Sequence, residues 1–396
     1  MNCLCSIYKE ISSECFDLNN RTDENAEEFI KKFFRDYEKC ECFDSQNAEG
    51  LKKTFHSVSV FLLGLHILEK ASVLSYSFLG MKDYCDDIEN YNFKPRCLKT
   101  FCKKDGNIYI WTWTSLYHDI MTKYEQTFKP FCFCNCPSQI SPKDFIYAAG
   151  LHQCPVTRTI FDYDCDILRE VWSKEKFNPT YNVDEVERYF TMRLHNGCLD
   201  HGIMSGYVFY DRLVSSFIRE MEKAGNQNGE FTSDKGLTYR KSHLRLFRYI
   251  ADAIIAHNIW RYDRESALEY SHYGIETEKF AENKNLLNVK NNALVFLLCL
   301  ADTMEPTKFF CQFNPNYVLE HIIIDIKDKQ NGEITIKVKN NMEMLNIEEK
   351  NKWFNQKIKS MEKWLDLSVE VHDDNSSCTI RIGKGAKKGS QVMEVE

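Results

Sequence analysis

The pattern of apolar and polar positions along the chain predicts a mainly helical fold. Residues 55–68 are apolar on nearly every side, which indicates a helix buried at the centre of a domain. Asp200 stands where a helix N-cap is expected, and Pro306 ends the last helix of this part of the chain. The further helices predicted on this basis cover residues 26–37, 111–127, 183–193, 201–223, 241–260 and 291–303.

The pattern changes class after residue 320. Two segments of strand character, 322–327 and 333–339, flank Asn331-Gly332, a pair that favours a hairpin turn. One amphipathic helix and two more short strands are predicted beyond it, over 347–367, 368–371 and 378–382. The predicted fold class is therefore mainly α, with a small α+β appendage at the C-terminal end.

Turn residues and composition divide the chain further. The helical core of residues 51–320 carries two loop-rich insertions, over 76–108 and 128–182, where prolines and turn signals concentrate. The remaining parts are an N-terminal helical extension, the α+β subdomain and a Gly- and Lys-containing tail that is expected to be flexible, over 1–50, 321–383 and 384–396.

Composition and charge narrow the functional classes. With 43% hydrophobic and 13% aromatic residues the chain is globular, and its net charge of −7 gives no overall basic field. Stable binding to nucleic acid is therefore not expected, whereas a small phosphorylated ligand needs only a few cations. The chain shows no run of the roughly 20 apolar residues that a membrane span needs, and its start lacks a signal-peptide pattern. We expect a cytoplasmic protein, monomeric or oligomeric, with no membrane partner.

The 17 cysteines are expected to be reduced in the cytoplasm, as small buried residues or metal ligands rather than disulfides. Cys132, Cys134 and Cys136 form a close cluster that has two interpretations. The cluster is either a structural zinc site or a set of reduced loop cysteines, and its Cys-x-Cys spacing differs from that of the usual zinc knuckle.

Ionisable side chains interrupt five of the apolar helices. Burying such groups costs several kcal/mol unless something compensates them. Each one alone has a simpler explanation, such as a hydrogen-bonded core histidine or a helix cap. A cation shared by all of them would explain the whole set, which is His56, His118, Asp119, His201, His257 and Asp302.

In the order His…His-Asp…His…His…Asp, each on its own helix, this set resembles the HD-domain metal-dependent phosphohydrolase superfamily, over about residues 51–310. The resemblance implies that the helical core is of the HD type. It also implies metal-dependent hydrolysis of a phosphoester or phosphoanhydride bond in a nucleotide, or in a cyclic or oligonucleotide. Its cofactor would be two divalent transition-metal ions, such as Fe, Mn, Ni, Co or Zn, that activate a water molecule.

The resemblance also assigns roles to individual residues. The first metal would be held by His56, His118, Asp119 and Asp302. Asp119 would bridge to a second metal, which His201 and His257 complete. Asp119 is thereby also the first candidate catalytic residue. Lys123 and Glu125 are candidates beside it, although they could equally form a surface ion pair; many relatives carry Ile-Gly-Lys after His-Asp, which puts Lys123 one position out of register.

Basic residues ahead of His257 are the candidate contacts for the substrate's phosphate groups. They are Arg240, Lys241 and Arg245, with Arg240 expected on the same helix face as His257. The alternative is that they form a solvated basic face. Two other functions stay open at this point: a diiron oxygenase of the same superfamily, and a nucleotide sensor without catalysis that signals through the C-terminal appendage.

Overall fold

A computed structural model describes residues 3–8, 48–71, 106–125, 141–142, 145, 183–225, 230–232, 238–240, 242–259, 270–275, 286–328, 332–339, 347–372 and 376–383. This part of the chain is mostly helical and includes a small antiparallel sheet near its C-terminal end, which confirms the predicted combination of elements. Within these ranges, no helix has the length and apolar character needed to cross a membrane.

The helices of the core and of the segment that leads to the sheet keep chain order. They are α1 (Ala48–Lys70), α2 (Gly106–Tyr117), α3 (Thr122–Glu125), α4 (Val183–His195), α5 (His201–Lys223), α6 (Ser242–Ala256), α7 (Val289–Met304), α8 (Pro306–Phe309) and α9 (Pro315–His321). Helix α1 packs against α2 and α7, and α5 packs against α6. Because α1 is covered on all sides, its apolar residues from Val58 to Leu68 are buried, as the sequence pattern predicts.

Two glycines let these helices approach closely. A Cβ atom on Gly64 of α1 would lie 2.0 Å from Cζ2 of Trp111, whose indole nitrogen donates a hydrogen bond of 2.9 Å to the carbonyl of Phe61. A Cβ atom on Gly206 of α5 would lie 2.8 Å from the carbonyl oxygen of Ala251 in α6. The close approach at both positions depends on the missing side chain.

Helices α2 and α6 end earlier than predicted. Their last residues are Tyr117 and Ala256, and each is followed by a turn that contains a candidate ligand, His118 or His257. The prediction that these histidines lie inside helices was therefore wrong. The ring Nδ1 of each histidine bonds the carbonyl three residues earlier, at 2.7 and 2.6 Å, and so takes an acceptor that a continuing helix would use for its own backbone.

A two-stranded ribbon replaces part of the loop that the sequence predicts before α6. Strands β1 (Glu230–Thr232) and β2 (Thr238–Arg240) pair antiparallel, and α6 begins at Ser242. Arg240 is thus the last residue of a strand, so the expectation that it shares a helix face with His257 was wrong. The hydrogen bonds between β1 and β2 satisfy backbone polar groups of Thr238–Arg240, so this segment does not need to join the helix.

The C-terminal sheet has four strands in the order β3-β4-β6-β5, all antiparallel. The strands are β3 (Ile322–Asp328), β4 (Glu333–Val338), β5 (Leu367–Val371) and β6 (Ser377–Ile382). Gly332 has a φ of 60° in the β3–β4 connection, a left-handed conformation that suits glycine. The predicted hairpin and the two later strands are all present.

One helical segment, Ile347–Lys363, packs on this sheet with α10 (Ile347–Asn351) as its first part. The winding then changes to a π-helix over Lys352–Ile358 and to a 3₁₀-helix over Lys359–Lys363. The helix predicted to reach residue 367 stops earlier, because the chain at Leu365 pairs with Leu287 and Leu367 starts β5.

Several contacts hold the sheet and its helical segment on the core. Leu287, just before α7, donates a backbone hydrogen bond of 2.9 Å to Trp364 and accepts another of 2.9 Å from Asp366. The rings of Phe310 and Trp353 lie 5.2 Å apart, edge to face. The C-terminal unit is therefore fixed beside α7, through contacts before its first residue and after its last.

Some predictions fall outside the described residues. They concern the helix over 26–37, most of both insertions, the cysteines Cys132, Cys134 and Cys136, the predicted start of α6 at Lys241, and the tail from residue 384. The first insertion ends sooner than expected, since α2 already begins at Gly106.

Replacing Gly206 by alanine should lower the free energy of unfolding by about 1–3 kcal/mol, because the new methyl group has to push α5 away from the α6 backbone. Chemical denaturation of Gly206→Ala beside wild type measures this. The control is Lys223→Ala at the exposed end of the same helix, which should change stability by less than about 0.5 kcal/mol. Equal unfolding midpoints for Gly206→Ala and wild type would contradict the close packing of these helices.

Candidate metal centre

Six ionisable side chains from different helices meet inside the core, and all are at least nine-tenths buried. Two of them, His56 and Asp302, lie within helices α1 and α7. His201 is the first residue of α5, where the side chain of Asp200 caps the helix by accepting from the backbone nitrogen of Ile203 at 2.9 Å. The others, His118, Asp119 and His257, stand in the turns that follow α2 and α6. The structure thus brings together every residue of the proposed ligand set.

The first group of donor atoms surrounds one point between α1, α2 and α7. His56 Nε2 lies 3.6 Å from Asp119 Oδ2 and 3.0 Å from Asp302 Oδ1. His118 Nε2 lies 3.4 Å from Asp119 Oδ1 and 3.6 Å from Asp302 Oδ1. Ligands about 2.0–2.2 Å from a shared ion are separated by roughly these distances, so the group could hold a metal ion.

The second group shares Asp119 with the first. Asp119 Oδ1 lies 3.1 Å from His201 Nε2, and the donor atoms of Asp119, His201 and His257 all fall within 4.8 Å of one another. Gly202 makes room for the third ligand, since a Cβ atom there would lie 2.8 Å from Cε1 of His257. The two groups are therefore adjacent and joined by one carboxylate, and this second group could also hold a metal ion.

All four imidazole rings are oriented in the same way. Each Nδ1 is bonded outside the centre, that of His118 to the Ser115 carbonyl and that of His257 to the Ile254 carbonyl. A carbonyl can only accept, so these two rings carry their proton on Nδ1 and turn the Nε2 lone pair inwards. In metal sites such a bond from the outer ring nitrogen fixes the tautomer and orientation of the ligand.

Carboxylates hold the outer nitrogens of the other two rings. His56 Nδ1 lies 2.7 Å from Glu305 Oε2, and His201 Nδ1 lies 3.1 Å from Glu125 Oε2. Of the candidate catalytic residues, Glu125 therefore orients a ligand, and its Oε1 also accepts from Arg193 at 3.4 Å. The side chain of Lys123 lies outside the described residues, so its role stays a prediction.

Two of the inward-facing nitrogens, Nε2 of His118 and Nε2 of His257, have no hydrogen-bond partner in the described part of the chain. Leaving a buried polar atom unsatisfied costs about 1–3 kcal/mol. A cation bound between the six side chains would satisfy both nitrogens at once. The donor set of imidazole nitrogens and carboxylate oxygens therefore fits a metal ion.

The charges at the centre favour a cation as well. Burial raises the pKa of Asp119, but its electrostatic interactions with His118, Lys308 and His201 outweigh burial and hold that pKa well below its usual value. Burial also raises the pKa of Glu305, and its hydrogen bonds with His56 and Thr307 again bring the net shift below the usual value. Both carboxylates are ionised, so negative charge is concentrated at a buried point.

The protons at the centre sit on two histidines. Burial lowers the pKa of His201, yet interactions with Asp119 and Glu125 outweigh it and raise that pKa to about 10. For His56, burial and the charge of Lys308 lower the pKa, while Asp302 and Glu305 raise it to about 9. Metal binding needs neutral imidazoles and therefore releases these protons.

His257 is the opposite case. Burial and the electrostatic interactions with His118 and His201 hold its pKa well below the usual value. This ring is therefore neutral at pH 7, and its lone pair is available to an ion without loss of a proton.

Sequence reasoning missed Glu305. This residue caps α8 by accepting from the backbone nitrogens of Thr307 at 2.9 Å and Lys308 at 3.0 Å. It also accepts from Ser59 Oγ at 2.8 Å, and Ser59 in turn lies 2.9 Å from the hydroxyl of Tyr8 near the N-terminus. The signal was available, because an acid directly before a proline is typical of a helix start, but Pro306 was interpreted only as a helix stop.

Lys308 was missed too. Its Nζ lies 3.2 Å from Asp302 Oδ1 and 3.8 Å from Asp119 Oδ2, and its side chain is 43% exposed. Together with Asp302, it lines a cleft of about 220 Å³. A lysine shortly after the last ligand was the only sequence signal for it.

The side chains of the predicted phosphate contacts lie outside the described residues. Lys241 lies outside them, and of Arg240 and Arg245 only the backbone is described. Arg248, one turn further along α6, forms an ion pair of 2.9 Å with Asp252. The role of these residues stays a prediction, whereas Lys308 is a cation that does stand at the site.

Removing the shared carboxylate should empty the centre. We expect purified wild-type protein to contain transition metal and Asp119→Asn to contain little or none, because Asp119 belongs to both ligand groups. Elemental analysis measures this, with circular dichroism to confirm that the variant is folded. The control is Glu320→Gln, which removes the charge of an exposed acid outside both ligand groups. This variant should keep its metal. Equal metal content in all three proteins would rule out the centre.

Removing the charge of Glu305 should weaken metal binding without abolishing it. Glu305→Gln leaves the ligands in place but loosens the orientation of His56, so we expect the affinity to fall by about 10- to 100-fold. Competition with a chromogenic chelator measures the affinity, again with Glu320→Gln as the control. An unchanged affinity would show that Glu305 serves only to cap α8.

Comparison of the chain with protein-family models, with curated proteins and with solved structures found no significant match.

Proposed function

We propose that this protein is a metal-dependent phosphohydrolase of the HD type, acting on a phosphoester or phosphoanhydride bond of a nucleotide or of a cyclic or oligonucleotide. One observation carries the proposal. Four buried imidazoles, each with its outer nitrogen bonded, point their inner nitrogens at two buried carboxylates. A purely structural cluster of histidines has no need for this common orientation.

The proposed cofactor is a pair of divalent transition-metal ions. Mixed imidazole and carboxylate ligands suit Fe, Mn, Ni, Co or Zn. His56, His118 and Asp302 would hold one ion, His201 and His257 the other, and Asp119 both. When bound, such a pair supplies a Lewis acid for the phosphoryl oxygens and a water molecule of lowered pKa.

The chain's own residues provide position, charge and a dry surrounding. Glu125 and Glu305 hold two of the ligand rings in place. The exposed ammonium group of Lys308 lines the same cleft as Asp302, 3.2 Å from its Oδ1, and can offset the charge of an incoming phosphate. The apolar core around the centre keeps bulk water out, which strengthens each of these electrostatic interactions.

The HD assignment itself is part of the proposal. The order of the ligands along the chain supports it, with each one supplied by its own helix or by the turn next to it. One difference from the resemblance concerns the position after His257, where Asn258 stands instead of a second histidine. The Asn258 amide nitrogen lies 3.0 Å from His201 Nε2, so this residue contacts the second ligand group directly.

The test is hydrolysis by the metal-loaded protein. We expect manganese- or cobalt-loaded wild type to release phosphate or a nucleoside monophosphate from members of a nucleotide panel, and Asp119→Asn to lose this activity. Glu320→Gln should retain it. In water enriched in ¹⁸O, the label should appear in the new phosphate group, because water is the nucleophile.

Other outcomes separate the alternatives. Consumption of O₂ by the iron-loaded protein, with label entering the product from ¹⁸O₂ instead of from water, would replace the hydrolase with an oxygenase. Nucleotide binding without turnover under all metal conditions would point to the sensor.

A further inference from the structure

The cleft beside the centre is formed by two different parts of the chain. Asp302 and Lys308 border it on the side of the core. The other side of the cleft is formed by the C-terminal unit, with Lys357 and Ser360 from its helical segment and Trp364 directly after that segment. The C-terminal unit is thus a wall of the proposed substrate site as well as a neighbour of the core.

The wall is held firmly where it meets the cleft. Trp353, Phe354 and Ile358 of the same segment are fully buried, while Lys357 is exposed between them. The hydroxyl of Ser360 donates a hydrogen bond of 2.7 Å to the carbonyl of Lys357. The buried residues therefore fix the backbone from which the Lys357 side chain extends.

The charge of the cleft selects the kind of ligand. Its inner end is Asp302, already in contact with His56 and Lys308. The other charged side chains of its lining are the carboxylate of Glu305, which pairs with His56, and the ammonium groups of Lys308 and Lys357, one from each side. Two cations that approach a metal centre from opposite walls suit a ligand with negative charge at more than one position.

The volume of the cleft narrows the class of ligand further. Pockets that enclose a drug-sized ligand measure about 300–1,000 Å³, and this cleft measures about 220 Å³. It is too small for a whole nucleotide and large enough for a short chain of phosphate groups. A short chain of phosphate groups therefore fits inside the cleft, with the rest of the molecule outside.

We infer that the C-terminal unit completes the substrate site, and that Lys357 binds a phosphate group that is not cleaved, in a substrate with at least two linked phosphates. This inference rests on the proposed function for the identity of the reacting group. It narrows the substrate to the class of nucleoside di- or triphosphates and related anhydrides, in preference to a cyclic monophosphate.

Binding of inorganic tripolyphosphate to the manganese-loaded protein tests the inference directly. We expect Lys357→Ala to bind tripolyphosphate about 10-fold more weakly than wild type, the loss of one charge-assisted contact. Lys359→Ala is the matched control, since it removes an exposed lysine two residues away on the same segment and outside the cleft lining. Isothermal titration calorimetry measures the three dissociation constants, and metal content should be the same in all three proteins.

Orthophosphate is the second probe. It should bind to the three proteins equally, because in the inferred site Lys357 holds a phosphate group other than the one at the centre. Equal tripolyphosphate affinities in wild type and both variants, or no tripolyphosphate binding by wild type, would overturn the inference. A hydrolase that lacks this dependence on Lys357 would leave the proposed function standing. A protein that binds tripolyphosphate through Lys357 but hydrolyses no phosphate bond would leave the binding site standing and remove the proposed function.

Discussion

The structure of the core depends on the cost of placing two carboxylates and four imidazoles among apolar side chains. Each group would be expensive alone, and the core reduces the cost by putting them within a few ångström of one another. The helices around them follow from that requirement. Glycines let α1 approach α2 and α5 approach α6, and the early ends of α2 and α6 let His118 and His257 anchor themselves on the last helical turn.

The same requirement explains how much the sequence could reveal. An ionisable residue in an apolar stretch is visible without a structure, and His56, His118, Asp119, His257 and Asp302 were found in that way. The helical class and the late strands were also predictable, because long apolar periodicity and an Asn-Gly turn are local signals.

What the sequence could not reveal depends on contacts between distant segments. Glu305 acts on His56 across 249 positions of the chain, and the Tyr8 hydroxyl reaches the same network through Ser59. Lys357 borders the cleft only because pairing between Leu287 and Leu365 brings the C-terminal unit beside α7. Helix ends were misplaced for a related reason, since a side chain of the centre competes for the last carbonyl of the helix.

Glu305 connects the ligand His56 to the start of helix α8. One of its oxygens receives both the ring of His56 and the backbone of Lys308, so the alignment of a ligand and the start of α8 share a single acceptor. Under the proposed function, metal binding at the centre would therefore be thermodynamically linked to the order of α8, which carries Lys308. An ion that fixes the His56 ring would also order the start of α8. The metal-free and metal-loaded forms should therefore differ around Lys308 as well as among the buried ligands.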